Sequence, residues 1–165
     1  MLRFFIILFI ITYTIFGYAD SSFSGDVTKI IDGDTIYVTI KTNNLRKKIR
    51  LVGIDAPEID QPYGIDSKLA LEEYLLNKHV TILNYGTDKY NRILGKVVFN
   101  NKDINSLMIK YGHAWLYRKY QDSLNRHDQA YYLELENNAR DERLGIFSYP
   151  GFTEPWMWRS KKRIN

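Results

Sequence analysis

No cysteine occurs among the 165 residues. That excludes a disulfide framework, a thiolate metal centre, a lipidated N-terminal cysteine and a cysteine nucleophile. Histidine is scarce as well: His79, His113 and His127 show no metal-ligand spacing. No apolar run reaches the roughly 20 residues that span a bilayer. Internal repeats and linker-like stretches are missing too. What is present is 45% hydrophobic and 25% charged residues, the make-up of one ordinary globular domain large enough to bury a core without crosslinks.

The first residues stand apart from that domain. Arg3 precedes an apolar run from Phe4 to Ile11, then Thr12 to Phe16, then Gly17, Tyr18 and Ala19. A positive start, an apolar centre and small residues before a cut describe a secretory signal over residues 1–19, cleaved after Ala19. A single domain over residues 20–165 is then expected to be exported to a periplasm or the medium, with no stable membrane association. A retained anchor is the rival reading. Removing Arg3 from the 23 basic residues leaves 22 against 19 acidic ones, a net charge of +3. With a pI near 9.1 this suits a polyanionic partner without identifying one.

Along the mature chain, Asp26 to Ile40 reads as two strands, with Ile36, Val38 and Ile40 alternating against Tyr37 and Thr39 and a turn at Asp32-Gly33-Asp34. A third strand is expected over Lys48–Ile54. A helix follows from a cap at Asp66 or Ser67 to about Asn77, then strands over His79–Tyr85 and Ile93–Phe99. A short helix from about Ile104 to Tyr111 ends at Gly112, and His113 to Tyr117 is expected to add a short extended piece. A long amphipathic helix runs from about Leu124 to Arg143, with Gly145 placed to end it, and an aromatic tail holds Trp156 and Trp158. Five strands with a helix after the third, then helices, predict an α+β, mainly β fold. Its centre is a Greek-key barrel of the oligonucleotide-binding (OB-fold) type, which presents a groove for nucleic acid.

Two acidic turns carry the chemistry. Asp32-Gly33-Asp34-Thr35 and Asp55-Ala56-Pro57-Glu58 are each ordinary turn sequences, and either alone reads as structural. If the strands pair as neighbours, both turns sit at one end of the barrel and bring Asp34, Asp55 and Glu58 together. Three carboxylates without sulfur or clustered imidazole suit a hard cation such as calcium rather than zinc. Period-two counting puts Arg50 on one strand face with Val52 and Ile54, and a buried arginine needs a partner; the readings are an outward arginine, one held by a structural carboxylate, or a guanidinium at the barrel mouth aimed at a phosphate. Arg92 lies in the turn-rich Thr87–Arg92, where solvation explains it as readily as function.

Several segments carry a resemblance: Ile31-Asp32-Gly33-Asp34-Thr35, Arg50 through Glu58, Asp88-Lys89-Tyr90-Asn91-Arg92 and Gly112-His113-Ala114-Trp115, with Gln61-Pro62-Tyr63-Gly64 and Pro155-Trp156-Met157-Trp158-Arg159. In order and spacing they resemble the thermonuclease (staphylococcal nuclease) family, over roughly Ser24 to Arg159. The resemblance implies a five-stranded OB-fold barrel with three helices and a calcium-dependent endonuclease that hydrolyses DNA and RNA, leaving 3′-phosphates. It implies that Asp34, Asp55 and the Ala56 backbone carbonyl hold calcium. By the same resemblance Glu58 orients or deprotonates the attacking water, and Arg50 and Arg92 bind the scissile phosphate. Lys89 and Tyr90 match nucleotide-binding positions, and Tyr117 and Tyr120 are candidate stacking groups, with core packing the alternative for each tyrosine. A monomer is expected.

The chain departs from the family in three places. Asn91 stands where glycine is usual, Met157 stands where glutamate is usual, and the Ile59–Gly64 connection is short and lacks lysine. Asparagine tolerates a left-handed turn better than other non-glycine residues, so presentation of Arg92 is expected to survive. A catalytically silent binding module and an envelope-associated structural domain are the competing readings. Loss of the acidic and arginine residues would favour the first, and none is lost here.

Overall fold

The computed structural model describes residues 22–163. The expected signal over residues 1–19 lies outside them. Among the described residues no helix is long and apolar enough to cross a membrane.

The first three strands form a meander: β1 (Ser22–Asp32), β2 (Thr35–Ile40) and β3 (Leu45–Leu51). Ile36 and Val38 of β2 are fully buried while Tyr37 and Thr39 are partly exposed, the alternation expected of a strand with one face on a core. β1 keeps its pairing with β2 through two register shifts, between Val27 and Lys29 and between Ile30 and Asp32. Such bulges add local twist and bend a long strand around a barrel. β3 ends at Leu51, earlier than the expected Ile54, because the chain turns through Gly53 at φ 78°. Ile54–Asp55 resumes as the two-residue strand β4, and β3 begins at Leu45, through a polar stretch that the hydrophobic pattern missed.

After helix α1 (Gly64–Leu75) come β5 (His79–Thr87), β6 (Ile93–Phe99) and the short β7 (Lys102–Asp103). β5 pairs with β1 and with β6, and β6 runs parallel to β3, Arg50 opposite Leu94. That last pairing closes β1, β2, β3, β5 and β6 into a five-stranded barrel. Helices α2 (Ile104–Lys110) and α3 (Arg126–Asp141) follow, with β8 (Trp115–Leu116) between them pairing against β4. The three expected helices are therefore present, and the aromatic tail adds a fourth, α4 (Pro155–Lys162), with proline in its first turn where its missing N–H costs nothing.

Helix starts differ from expectation in one informative way. Neither Asp66 nor Ser67 caps α1. Tyr63 occupies the cap position at φ 70° without a side-chain capping bond, and Ser67 lies inside the helix, donating its hydroxyl to the His113 carbonyl at 2.7 Å. Asp103 and Asn125 cap α2 and α3 through side-chain acceptance from Ser106 and Asp128 backbone N–H groups.

The main core joins the barrel interior (Val27, Ile36, Ile49, Ile82, Val97) to α1 and α2 through Leu71, Leu75, Met108 and Ile109. Buried Asn105 ties α2 to the barrel: its amide donates to the Val52 and Gly95 carbonyls at 3.0 and 3.1 Å and accepts from the Val97 N–H at 3.0 Å. A smaller cluster of Trp115, Ala139, Ile146 and Phe147, with Trp156 packed against it, anchors the tail.

Candidate active site

Gly33 fixes how the two acidic turns meet. A Cβ at that position would stand 2.7 Å from the Ala56 Cβ and inside the Ser67 hydroxyl, so only glycine lets the β1–β2 turn touch both α1 and the segment after β4. The contact seats Asp34 beside Ala56, whose backbone N–H donates to Asp34 Oδ2 at 2.7 Å across a separation of 22 residues. Thr35 donates its hydroxyl to Asp34 Oδ1 at 2.9 Å.

Arg50 lies at the centre, only 8% exposed. It is ion-paired through NH1 to Asp34 Oδ2 at 2.7 Å and through NH2 to Asp55 Oδ1 at 2.8 Å. Burial works against its charge, but Asp34 and Asp55 outweigh burial and raise its pKa. Burial pushes the Asp55 carboxyl up against the opposing pull of Arg50 and Arg159. Asp32, two residues from Asp34, is pushed up to about 7, first by burial and then by the Asp34 charge.

A second guanidinium completes the cluster. Arg159, from α4, binds Asp55 Oδ2 at 2.7 Å, Asp55 Oδ1 at 3.2 Å and Glu58 Oε1 at 2.7 Å. Burial opposes its charge, yet the hydrogen bonds and charges of Asp55 and Glu58 leave its pKa raised. Glu58 itself is held by its backbone N–H, which donates to Gln61 Oε1 at 3.2 Å. Asp34, Arg50, Asp55, Ala56 and Glu58, all marked out by the sequence, thus converge at one end of the barrel.

Arg92 stands one step beyond the register in which Ile49 faces Ile93. Its Nε donates to Asp88 Oδ2 at 2.7 Å, its backbone N–H to Asp88 Oδ1 at 3.0 Å, and its guanidinium lies 5.6 Å from the Tyr90 ring centroid. Among the described residues it makes no hydrogen bond or ion pair to Asp34, Arg50, Asp55 or Glu58. Burial acts to raise the Asp88 carboxyl, but the hydrogen bonds from Arg92 hold it below its usual range. Asn91 adopts φ 60°, the left-handed conformation expected of it. Lys89 lies over Tyr90, and Tyr90 is 68% exposed. Tyr117 stacks on Trp156 at 5.7 Å, and Tyr120 meets Tyr117 edge-on at 5.0 Å.

Arg159 and Trp156 lie in the aromatic tail, to which the sequence assigns no role in the chemistry. Their signal is physical: a buried Asp55 beside Asp34 calls for more positive charge than Arg50 alone supplies, and Pro155 after Glu154 marks a helix start that carries an arginine inward.

Among the described residues no three acidic or imidazole side chains gather tightly enough to hold an ion by themselves. The oxygen donors that a cation would draw on are the Asp34 and Asp55 carboxylates, engaged here by Arg50 and Arg159, and the Ala56 carbonyl. A hard cation with water filling its remaining positions fits that all-oxygen set.

Residues 48–149 match the family model described as staphylococcal nuclease homologue. The chain is 38% identical over 144 residues to protein ParB of Escherichia coli, covering 82% of this chain and 78% of that protein. It is 35% identical over 156 residues to a micrococcal nuclease of Shigella flexneri (88% and 86%) and 37% identical over 139 residues to an uncharacterized endonuclease of Haemophilus influenzae (84% and 74%).

Proposed function

Because this chain belongs to the staphylococcal nuclease family and is a phosphodiester-hydrolysing nuclease, we propose that it is an exported, calcium-dependent endonuclease cutting DNA and RNA to leave 3′-phosphates. The observation that carries the reading is the convergence, at the barrel end, of Asp34 and Asp55 on Arg50 and of Asp55 and Glu58 on Arg159. Asp34, Asp55 and the Ala56 carbonyl would hold calcium, which supplies charge neutralisation at a phosphoryl oxygen.

Glu58 orients the attacking water and takes its proton as the water oxygen bonds to phosphorus. The bond from phosphorus to the 5′ oxygen breaks, that oxygen leaves and acquires a proton, and the phosphate stays on the 3′ side. Arg50 presents two N–H donors to the phosphoryl oxygens, where charge accumulates during in-line attack. Arg92, paired with Asp88 in the resting arrangement, is the second phosphate ligand and exchanges a carboxylate for a phosphate when substrate arrives.

The test is digestion of single-stranded DNA by the purified protein with calcium or with chelator, beside a Glu58→Ala variant. Expected are calcium-dependent cleavage with 3′-phosphate ends and a loss of about 10²–10⁴ in kcat for the variant. Folded protein that binds DNA and leaves it intact would sink the enzymatic reading in favour of a binding module. N-terminal sequencing of exported protein is expected to begin at Asp20; a start at Met1 would overturn cleavage of the signal.

A further inference from the structure

Beside the carboxylate cluster a groove of about 500 Å³ runs between the segment after β8 and helix α4. Trp156, Arg159, Ser160 and Arg163 line one wall, spaced i, i+3, i+4 and i+7, so a single face of α4 is turned into it. The opposite wall brings Tyr117, Arg118 and Lys119. Four cations line this space and no carboxylate does. Two of them are already committed: Arg118 to Glu136 at 2.9 Å, and Arg159 to Asp55 and Glu58. Among the described residues neither Lys119 nor Arg163 pairs with a carboxylate.

Folding does not explain this arrangement. Lys119 has the Tyr120 ring at 5.7 Å but no carboxylate, and like charges brought to one groove without carboxylates repel each other. The aromatic part is equally specific: Tyr120, Tyr117 and Trp156 form a run of rings, edge-on and then stacked, beginning at a tyrosine that is 48% exposed. Basic groups that track a backbone beside rings that accept bases are what unpaired nucleic acid recognises, and every base has a face to stack.

We propose that this groove is a binding subsite for the single-stranded stretch of polynucleotide flanking the bond being cut. Lys119 and Arg163 contact successive phosphates there, and Trp156 on α4 extends into the groove the base stacking already expected of Tyr117 and Tyr120. The proposal rests on the nuclease reading for the position of the cut strand: Arg159 lines the groove and reaches Asp55 and Glu58, so a strand leaving the cluster enters the groove directly. Substrate length preference then resides in α4, outside the motifs that define the reaction.

The test measures equilibrium binding in a Glu58→Gln background, which holds the strand uncut. A labelled single strand of about ten nucleotides is compared with a nucleoside 3′,5′-bisphosphate, for the parent, a Lys119→Glu/Arg163→Glu double variant and Trp156→Ala. The double variant is expected to bind the strand about tenfold or more weakly, and its log affinity against log salt to flatten by about 1.4, two phosphates at roughly 0.7 each. Trp156→Ala is expected to weaken the strand by at least about fivefold. The bisphosphate is expected to bind all three alike. Unchanged strand binding in the double variant, or equal weakening of both ligands, overturns the subsite. Lys119 and Arg163 are exposed, so their variants decide the matter even if Trp156→Ala does not fold. Cleavage by the unmodified protein is followed in parallel. Groove-dependent binding without any cleavage defeats the nuclease reading alone, and cleavage with groove-independent binding defeats the subsite alone.

Discussion

Replacing Arg50 by lysine keeps the charge and removes the fork, and the structure sets what that costs. The arginine spans two carboxylates at once, with Asp34 at 2.7 Å and Asp55 at 2.8 Å on different nitrogens, and donates a longer bond to the Leu51 carbonyl. A lysine ammonium is one point on a shorter reach and serves one of those carboxylates well. The loss of a single charge-assisted bond in a buried setting costs about 1.5–3 kcal/mol. A domain with stability of about 5–15 kcal/mol stays folded after that loss. Under the proposed mechanism the reaction is expected to lose more, because bidentate donation to the phosphoryl oxygens would matter most where charge accumulates, and removing one such donor costs about 10²–10³ in kcat. Arg50→Ala is expected to behave differently: it leaves two buried carboxylates uncompensated and destabilises by about 3–5 kcal/mol. The measurements are urea unfolding and steady-state cleavage of single-stranded DNA on the same preparations. The expected pattern is two similarly inactive variants of unequal stability. An Arg50→Lys enzyme within about fivefold of the parent in kcat would show that charge without geometry suffices, and would refute the argument from the fork.

Two further perturbations address the frame around the cluster. Asp32 is pushed up to about 7, so between about pH 4 and pH 7 the folded chain keeps a proton that the unfolded chain has released, and stability falls as pH rises through that window. Asp32→Asn keeps an acceptor for the Asp34 N–H and is expected to gain on the parent between pH 5 and pH 8 in urea midpoints; parallel pH curves would show that Asp32 does not hold that proton. Asn105→Ala removes three buried hydrogen bonds that join α2 to Val52, Gly95 and Val97. It is expected to cost roughly 2–5 kcal/mol, as orphaned buried groups do, and a loss below about 1 kcal/mol would mean that other partners take over.

The acidic turns were legible in the sequence because their logic is local: glycine and aspartate between two alternating strands announce both a hairpin and a pair of neighbouring carboxylates, although the structure buries Asp34. The barrel was legible from strand number and order. β3 was misplaced because its first half, Leu45 to Lys48, is mostly charged, while Val52 and Ile54 prolong the apolar pattern past the break at Gly53. The same error touched Arg50. It is buried, as the count of alternate residues suggested, yet Ile49, Arg50 and Leu51 are buried together, so the end of β3 is covered on both faces and the alternation did not supply the reason. Ser67 has the look of a cap, but its hydroxyl bonds across to His113. That is a contact between residues 46 apart, which no local pattern reports.

Arg159 illustrates the harder limit, since its partners lie about a hundred residues away in the chain. Counted with it, the cluster holds three carboxylates, Asp34, Asp55 and Glu58, against two guanidiniums, Arg50 and Arg159. That leaves one negative charge on a site proposed to receive a phosphodiester, which is itself negative. Without further positive charge the site opposes its own substrate; a single bound dication reverses the sign and makes the cluster complementary to one phosphate. Without Arg159 the balance shifts by one, and the same dication yields only neutrality. The tail arginine therefore belongs to the electrostatic design of the site as fully as Arg50 does, although the sequence assigns its segment no role in the chemistry.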